Sequence, residues 1–502
     1  MTRPTSLARF GLGLTTGNGP GRAADLLGPG GLGLWDARGQ APVDANAADL
    51  LTTLSRTADP DLALRQLHRI VEAERRTSTG DPAGSPVLAA LRTDAGLRRR
   101  LLTVLGASSA LGDHLAANPD QWQALTSSDP TGELDIAPDR PTVPQLRLAY
   151  RRSLLRIAAA DLTGERGLDE TMAALTELAD ATLQAAYAAA VRELPAGTPP
   201  PRLAVVAMGK CGGCELNYVS DVDVIFVAAG DEDLTAATTV ATRLIQICGL
   251  VAWPVDAALR PEGNRGPLVR TLASHLAYYQ RWARTWEFQA LLKARPAAGD
   301  RALGEEWVRV LAPLVWQAAE RPEAVEDVRA MRRRIIENIP ARELDREIKR
   351  GPGGLRDIEF AVQLLQLVHG RVDESLRVTG TLPALRALVA GGYVGRADGE
   401  ALLRGYEFLR RVEHRLQLQG LRRTHTVPAD PQPLRWLAHA LGYTATPAGE
   451  AVDAFRADWV GHAAEVRRLH VKLLYRPLLE SVARVPAESL RMTPEAARKR
   501  LE

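Results

Sequence analysis

A glycine-rich turn between two short apolar segments is the feature that most constrains how this chain folds. Residues 203–207 form an apolar run followed closely by glycine, which predicts a buried strand, and residues 222–227 predict a second strand. Gly209, Gly212 and Gly213 lie between them. Glycines after a strand let the backbone approach a phosphate closely and point amide groups at it. The sequence therefore predicts an α/β segment with a phosphate-binding turn.

Two aspartates open the predicted second strand. Asp221 and Asp223 are two residues apart, so both carboxylates are expected on one strand face, while apolar side chains fill the other face. Carboxylates paired in this way repel each other unless cations lie between them, and their oxygens suit Mg²⁺ or Mn²⁺. The structural alternative is a pair of surface carboxylates on an edge strand, which fits the apolar flanks poorly.

A third carboxylate, Asp256, lies within residues 253–260, which predict a third strand with Asp256 and Arg260 on one face. Three carboxylates can hold two metal ions about 3.5–4 Å apart, an arrangement that stabilises the entering and leaving oxygens of phosphoryl or nucleotidyl transfer. Arg260 could neutralise phosphate charge nearby. We therefore predict that Asp221, Asp223 and Asp256 are the catalytic and metal-binding residues.

The same region supplies candidate contacts to a nucleotide or a phosphate. Asn217 and Ser220 could orient phosphate oxygens or a carboxylate ligand, or they could make hydrogen bonds within the turn. Lys293 and Arg295 could contact phosphate, or they could be ordinary surface charges. The predicted binding set is Gly209, Lys210, Gly212, Gly213, Asn217, Ser220, Arg260, Lys293 and Arg295.

Helical periodicity dominates on both sides of the α/β segment, so we predict a mostly α chain with a central α/β domain. Residues 87–106 and 143–194 predict long helices, and the three arginines 332–334 predict a solvated helix face. Residues 234–247 and the residues after 354 predict further helices. The expected organisation is a flexible tail over 1–47, a helical region over 48–198, the α/β domain over 199–300, a helical bundle over 301–485 and the start of a linker over 486–502.

Composition excludes some classes of function. The 502 residues are 46% hydrophobic and 25% charged, which is ordinary for a globular protein of several domains. A net charge of only +3 argues against a nucleic-acid coat and against a membrane-surface protein. The sequence has neither an apolar run of about 18 residues nor a signal-peptide pattern, so we expect a cytoplasmic protein. Cys211 and Cys214 lack a second close pair, so we expect them to fill a tight loop rather than bind zinc.

Longer strings carry a resemblance to known families. The glycine turn followed by Asp-x-Asp resembles the polymerase-beta-type nucleotidyltransferase superfamily, although Lys210 stands where that superfamily usually has Gly or Ser. The sequence is also similar to the family of glutamine synthetase adenylyltransferase/adenylyl-removing enzymes. This second similarity rests on MGKCGGCELNYVSDVDVIFV, VDAALRPEGNRGPLVR, YYQRWARTWEFQALLKARPAAGD, IKRGPGGLRDIEFAVQLLQLVHGR and FLRRVEHRLQLQ.

The resemblance implies a specific reaction. That family has two nucleotidyltransferase modules in tandem, each followed by a helical domain, and this chain resembles the N-terminal module in the strings at 215–217, 293–295 and 355–359. In the family, the N-terminal module removes AMP from a tyrosine of glutamine synthetase by phosphorolysis, giving ADP, and the C-terminal module attaches AMP from ATP. The implied partners are glutamine synthetase, a PII signal protein as regulator, phosphate, and ADP or ATP, with Mg²⁺ or Mn²⁺ as cofactor and no nucleic acid or membrane.

Two alternatives stay open. The chain could transfer adenylyl groups from ATP, or it could be a regulatory module that keeps the fold without turnover. The complete set of three aspartates argues against the regulatory module, since a decayed site would be free to lose one. Uridylylation of a PII protein fits less well, because the strings after Arg260 resemble the glutamine synthetase enzyme.

Overall fold

The computed structural model describes residues 7, 10, 12, 19–36, 40–77, 85–127, 134, 141–321, 323–447 and 449–475. Within these ranges the chain is mostly helical with one small mixed sheet, which confirms the expectation of a mostly α protein. The predicted start of a linker at 486–502 lies outside the described residues.

The described α-helices share the lengths expected of a globular protein, apart from the single-turn helix α9. In chain order they are α1 (Gly19–Leu27), α2 (Ala45–Ser55), α3 (Pro60–Thr77), α4 (Pro86–Thr93), α5 (Ala95–Ala107), α6 (Ser109–Ala117), α7 (Val143–Thr163), α8 (Leu168–Arg192), α9 (Gly209–Gly212), α10 (Leu234–Val251), α11 (Leu272–Arg281), α12 (Thr285–Leu291), α13 (Arg301–Gln317), α14 (Ala324–Glu337), α15 (Leu355–His369), α16 (Thr381–Ala390), α17 (Arg396–Gly420), α18 (Pro431–Ala440) and α19 (Ala451–Leu474). Short 3-10 helices cover Pro119–Leu125, Asp231–Asp233, Gly263–Arg265, Ala318–Glu320, Leu344–Arg346 and Glu374–Leu376.

Two predicted long helices are each broken once. Residues 87–106 belong to α4 and α5, because Asp94 is extended and its side chain accepts a hydrogen bond from the Leu97 N–H, which caps a new helix. Residues 143–194 belong to α7 and α8, separated at Gly164, whose φ of +72° is a conformation that favours glycine. Apolar periodicity continues through both breaks and therefore did not reveal them.

The prediction of a flexible tail over residues 1–47 is wrong for residues 19–36. These residues form α1 and then bury Leu27, Leu34 and Trp35, which are at most 1% exposed. The glycine and proline pairs that suggested flexibility punctuate this segment without preventing its apolar side chains from packing.

Five strands form the sheet: β1 (Leu203–Ala207), β2 (Val222–Ala228), β3 (Val255–Asp256), β4 (Val269–Thr271) and β5 (Arg295–Gly299). Their order is β3-β2-β1-β5, and β4 also pairs with β2. β1 is antiparallel to β2 and to β5, whereas β3 and β4 are parallel to β2. All five residues of β1 are buried, so the first predicted strand lies in the core of the sheet.

The third predicted strand is much shorter than expected. Only Val255 and Asp256 pair with β2, because the chain turns immediately afterwards. The Ala258 N–H donates to Asp256 Oδ1 at 2.7 Å, and the Arg260 N–H donates to the Ala257 carbonyl at 3.2 Å. Arg260 therefore lies in a turn and does not share a strand face with Asp256.

The chain forms two compact units, each made of discontinuous segments. One unit contains residues 1–135, 148–175 and 411–458, and α3 packs there on α5 and α6. The other contains residues 136–147, 176–410 and 459–502, and it holds the whole sheet, with α13 against β1 and β5. The domain boundaries proposed from the sequence remain predictions.

One described helix is long and apolar enough by length and composition to cross a membrane. It covers Asp231–Val251 and contains α10. α10 buries one face, which includes Val240, Leu244 and Ile247, and it packs on β3 and β4. Packing of this buried face within the fold accounts for the apolar residues on it.

The glycine turn after β1 closes on the backbone that leads into β5. A Cβ atom at Gly212 would lie 1.8 Å from the Lys293 carbonyl oxygen and 2.7 Å from the Ala207 carbonyl oxygen. Backbone atoms cannot give way cheaply at such distances. Glycine at this position is therefore required by packing, independently of any ligand.

We expect Gly212→Ala to destabilise the protein by more than about 2 kcal/mol, because overpacking at a rigid backbone contact forces the strands apart. Gly249→Ala is a matched control at an exposed position of α10, where a Cβ meets nothing within 4 Å. That change should stabilise the protein by about 0.5–1 kcal/mol through helix propensity. Urea unfolding measures both values, and equal stability of the two variants would contradict the packing argument.

Candidate active site

The three predicted aspartates come together at one edge of the sheet. Asp223 lies on β2 and pairs in register with Asp256 on the parallel strand β3. Asp221 directly precedes β2. All three side chains belong to half-buried residues. Parallel pairing therefore sets two carboxylates side by side, with a third two residues away.

The pKa of the Asp223 carboxyl reflects how close the other two carboxylates lie. Burial is the largest cause that raises the pKa of Asp223, and the negative charges of Asp256 and Asp221 raise it further. The positive charges of Arg356 and Lys349 oppose this rise. The result is a pKa of about 6, against an ordinary value of 3.8. The carboxylates therefore repel each other, and two cations from downstream in the chain partly offset the repulsion.

These carboxylates fit a divalent ion in donor type and in charge. Among the described residues no group of three or more His, Cys, Asp or Glu side chains is placed so that it could hold a metal ion, so Asp221, Asp223 and Asp256 do not form a three-ligand group in this structure. Asp223 and Asp256 nevertheless offer the hard oxygen donors that Mg²⁺ and Mn²⁺ prefer. A cation between them would relieve the repulsion that raises the pKa of Asp223.

The glycine turn lies against the same carboxylate. Gly209 has a φ of +54°, and a Cβ there would lie 2.4 Å from Asp223 Oδ2. The Met208 N–H donates to the Asp223 carbonyl at 2.8 Å. The turn therefore brings bare backbone into close contact with Asp223, and only glycine fits at this position. Gly213 approaches a different carboxylate, since a Cβ there would lie 3.2 Å from Glu215 Oε1.

Lys210 and Asn217 bind each other within the buried loop. Lys210 Nζ donates to Asn217 Oδ1 at 2.9 Å, and Asn217 Nδ2 donates to the Val219 carbonyl at 2.7 Å. Asn217 therefore makes the turn hydrogen bonds that were the alternative to a ligand role. Ser220 is half-buried directly before Asp221.

Arg260 is held by backbone carbonyls of its own loop. Its Nη1 donates to the Ala257 carbonyl at 2.8 Å and its Nη2 to the Gly266 carbonyl at 3.1 Å. These bonds fold the segment between β3 and β4. Arg260 and Asp256 therefore do not share the predicted strand face, although the negative charge of Asp256 still acts on Arg260 and opposes the lowering of its pKa by burial. Its role toward phosphate stays a prediction.

Lys293 is neither exposed nor available as an independent charge. It is 6% exposed, and its ammonium group forms an ion pair with Glu215 and a hydrogen bond of 3.0 Å to Thr381 Oγ1. Glu215 also accepts from the Thr381 N–H at 2.9 Å and from the Tyr406 hydroxyl at 3.2 Å. No sequence pattern indicated this network, because its members are far apart along the chain.

Arg295 is likewise paired inside the fold. Its two terminal nitrogens bind both carboxylate oxygens of Asp180 on α8, at 2.7 and 3.0 Å, and Nη2 also donates to the Cys211 carbonyl at 3.1 Å. Arg295 therefore fastens the glycine turn to α8. Arg295 is therefore not an ordinary surface charge, and its predicted contact with phosphate stays a prediction.

The three cysteines are free thiols. Cys211 is buried, and burial together with the charge of Asp180 raises its thiol pKa well above the ordinary value. Cys214 is exposed and has a φ of 55° in the loop. This arrangement suits the loop-filling role expected from the sequence.

Lys349 and Arg356 are the cations that sequence reasoning missed. They flank the glycine-rich loop before α15, and the Arg356 N–H donates to the Lys349 carbonyl at 2.8 Å. Both belong to a string that carried the family resemblance, but no spacing rule connects them with Asp223. Their charges nevertheless act on that carboxylate.

Arg332 holds this loop and is not part of a solvated face, contrary to the prediction. It is 1% exposed, and its Nε donates to Asp357 Oδ1 at 2.7 Å. Its terminal nitrogens donate to the carbonyls of Arg350 and Gly351 at 2.9 and 3.1 Å. Arg333 and Arg334 are exposed, as predicted. A single arginine of the run therefore points inward, where Asp357 compensates its charge.

Comparison with known proteins identifies the class of enzyme that this chain resembles. Residues 99–310 match the family model described as glutamate-ammonia ligase adenylyltransferase, and this range includes the sheet and all three aspartates. Residues 329–474 match a second model, described as GlnD PII-uridylyltransferase. Both descriptions name enzymes that transfer nucleotidyl groups.

Curated relatives narrow the class to one family. Three proteins named bifunctional glutamine synthetase adenylyltransferase/adenylyl-removing enzyme match most of this chain. The protein of Streptomyces avermitilis is 55% identical over 92% of this chain and 47% of its own length. Those of Streptomyces coelicolor and Nocardia farcinica are 53% and 46% identical, over 93% and 96% of this chain and 48% and 51% of their own lengths. The chain belongs to this enzyme family and spans about half the length of these relatives.

We expect Asp223→Asn to stabilise the metal-free protein at pH 8. A carboxyl whose pKa is raised to about 6 in the folded protein favours folding only while it is protonated, so its stabilising effect is lost as the pH rises through 6. Removing the charge should therefore add up to about 3 kcal/mol to the free energy of unfolding at pH 8 and almost nothing at pH 4. Denaturant unfolding at both pH values measures this difference. Asp231→Asn, at an exposed position, is the control, and equal effects of the two changes would refute the repulsion.

Lys293→Met should destabilise the protein by about 3–5 kcal/mol, because it leaves the Glu215 carboxylate buried without its ammonium partner. Replacing Glu215 with Gln in the same protein should recover much of that loss, since the uncompensated charge is then gone while an amide oxygen still accepts from Thr381 and Tyr406. Urea unfolding of the single and double variants tests both statements. If Lys293→Met instead left stability unchanged and weakened phosphate binding, the ligand role predicted from the sequence would be restored.

Proposed function

We propose that this chain removes AMP from the adenylylated tyrosine of glutamine synthetase by phosphorolysis, releasing ADP. The reaction uses Mg²⁺ or Mn²⁺ bound by Asp221, Asp223 and Asp256, on a core of polymerase-beta type. One observation carries the proposal: a pair of repelling carboxylates lies beside a bare glycine turn and within reach of two positive side chains. The substrate comes from the names of the relatives, which act on glutamine synthetase.

Each part of the site has a role in this reaction. Asp223 and Asp256 would hold the ion, which stabilises negative charge on the entering and leaving oxygens when bound. Gly209 lets the turn backbone, whose amide groups can face a phosphate, approach Asp223 closely. An oxygen of inorganic phosphate bonds to the adenylyl phosphorus while the bond from phosphorus to the tyrosine oxygen breaks. The tyrosine oxygen takes up a proton, so the products are ADP and unmodified tyrosine.

The cations that attract phosphate differ from those expected at first. Arg260, Lys293 and Arg295 are occupied with carbonyls, Glu215 and Asp180. Lys349 and Arg356 take their place, because both act on Asp223 and Arg356 is half-exposed. Two anions, phosphate and the phosphodiester, must approach each other in this reaction, so cations at the entering side lower its barrier.

The choice of AMP removal over AMP attachment depends on the strings that resemble the N-terminal module of the family. Two of them, at 215–217 and 293–295, supply the partners of the buried Glu215–Lys293 pair, so these strings form one structural unit. Adenylyl transfer from ATP is the second candidate, because the relatives' name contains both activities. A PII signal protein is the proposed regulator, since residues 329–474 match a family named for an enzyme that acts on PII.

Incubation of the chain with adenylylated glutamine synthetase, Mg²⁺ and phosphate should release ADP, and omission of phosphate should stop the release. Asp223→Asn should lower kcat by at least about a hundredfold, because the ion loses a ligand at the reacting phosphorus. Asp231→Asn, on the exposed segment before α10, should leave kcat unchanged. Chromatography of the nucleotide products gives the readout.

Three results would contradict the proposal in different ways. Free AMP as product would mean that water is the nucleophile. Labelling of unmodified glutamine synthetase by ATP would assign adenylyl transfer to this chain. Full activity of Asp223→Asn would remove the metal site.

A further inference from the structure

We propose that Glu359 is a positioning residue that holds the Arg356 guanidinium in place for the incoming phosphate. This inference rests on the proposed function, since it deepens the role of the same site. Glu359 does not touch the aspartates in any described contact and is proposed to act through Arg356 alone.

The contact between the two side chains has the required geometry. Arg356 Nη1 lies 3.1 Å from Glu359 Oε2, one helical turn apart on α15. The Arg356 side chain is 38% exposed, whereas that of Glu359 is 3% exposed. A buried, fixed carboxylate thus orients a cation whose other side faces solvent. An arginine on an exposed helix turn without such a partner would sample many rotamers.

The second oxygen of Glu359 argues against a purely structural role. Glu359 Oε1 is buried and has no hydrogen-bond partner among the described residues. An unsatisfied buried oxygen is unfavourable by itself, so the charge of this carboxylate is compensated by the cations around it and not by a full set of hydrogen bonds. Violations of this kind concentrate at functional sites, where a charge is needed for another reason. The reason available here is the cationic group beside Asp223.

The backbone under Arg356 is fixed independently of Glu359. The neighbouring Asp357 accepts from Arg332 Nε at 2.7 Å and from the Gly353 N–H at 2.6 Å, which locks the loop and the first turn of α15. A Cβ at Gly353 would lie 2.2 Å from the Ala463 carbonyl oxygen, so α19 also packs tightly on this loop. Because the backbone is fixed in this way, Glu359 orients only the side chain of Arg356.

Glu359 stays ionised at every pH at which the protein works. Burial alone raises the pKa of Glu359, but the positive charges of Arg356, Lys293, Lys210 and Lys349 outweigh burial and lower the pKa to about 2. The pair is therefore charged throughout, and no pH switch is involved. The same Arg356 also acts on Asp223, so one guanidinium lies within electrostatic reach of both carboxylates.

A double-mutant cycle tests the proposal. The variants are Glu359→Gln, Arg356→Ala and the two combined, and the measurements are kcat, KM for phosphate, and the Kd for inorganic phosphate at saturating Mg²⁺. We expect Glu359→Gln to raise both KM and Kd for phosphate about tenfold, with a smaller change in kcat, because the guanidinium is no longer held. The double variant should bind phosphate no more weakly than Arg356→Ala, because Glu359 acts only through that arginine.

Two further variants distinguish a role of Glu359 in positioning Arg356 from a role in folding the protein. Glu465→Gln removes an exposed pair of the same Arg–Glu spacing on α19, where Arg468 Nη2 lies 2.7 Å from Glu465 Oε1, and should change neither constant. If Glu359→Gln does not fold, Arg356→Lys serves instead, since it keeps the charge at a half-exposed position but loses the guanidinium fork. Arg356→Lys should also raise KM and Kd for phosphate.

The outcomes distinguish this inference from the proposed function. A fall in melting temperature with unchanged KM and Kd, or additive effects in the cycle, would overturn the positioning role. Wild-type protein that binds no phosphate would also overturn it. If the chain forms no ADP from adenylylated glutamine synthetase but the phosphate Kd values still show the non-additive pattern, the proposed function fails and the Arg356–Glu359 assignment stands.

Discussion

Asp223 and Asp256 repel each other on neighbouring parallel strands, and the surrounding structure can be understood as a response to that repulsion. Parallel pairing of β2 with β3 fixes the two side chains beside each other. Burial then adds to the effect of the neighbouring charge and raises the pKa of Asp223 to about 6. A site of this kind holds an energetic cost in the absence of a cation, and a divalent ion releases it on binding. The glycine turn packs its backbone closely against the same carboxylate, where a side chain would not fit.

Buried ion pairs build the frame that keeps this edge in shape. Glu215–Lys293, Asp180–Arg295 and Asp357–Arg332 each join segments that are distant in sequence. The first two fix the loop between β1 and β2, and the third fixes the loop before α15. A buried pair adds little net stability, but removal of one partner is strongly unfavourable, so such pairs favour one arrangement over its alternatives. The frame therefore uses cations that seemed at first to be free for phosphate.

The local parts of the fold and the site could be predicted from the sequence, and the long-range parts could not. β1 has the predicted bounds and β2 is one residue longer, because both are apolar runs with clear ends. β4 was missed because it has only three residues, and it becomes a strand only through its pairing with β2. β5 was missed because it contains Pro296, and it becomes a strand only through its pairing with β1. Spacing alone predicted that the aspartates and the glycine turn belong to one site, and Asp223 does lie against both Asp256 and Gly209. Lys293 and Arg332 looked like surface charges, because the partners that bury them lie far away along the chain.

The three aspartates do not determine whether such a site removes AMP or attaches it. Nucleotidyl transfer passes through one geometry at phosphorus in both directions, so the ion and its carboxylates serve either one. The two directions differ in what enters: phosphate is an anion that must approach an anionic diester, whereas a tyrosine hydroxyl is neutral at ordinary pH. An entering anion needs a cation held in a defined place before it arrives, since an unfixed side chain must be ordered at the moment of binding. A half-exposed arginine fixed by a buried carboxylate meets that need, and Arg356 on α15 is such a residue.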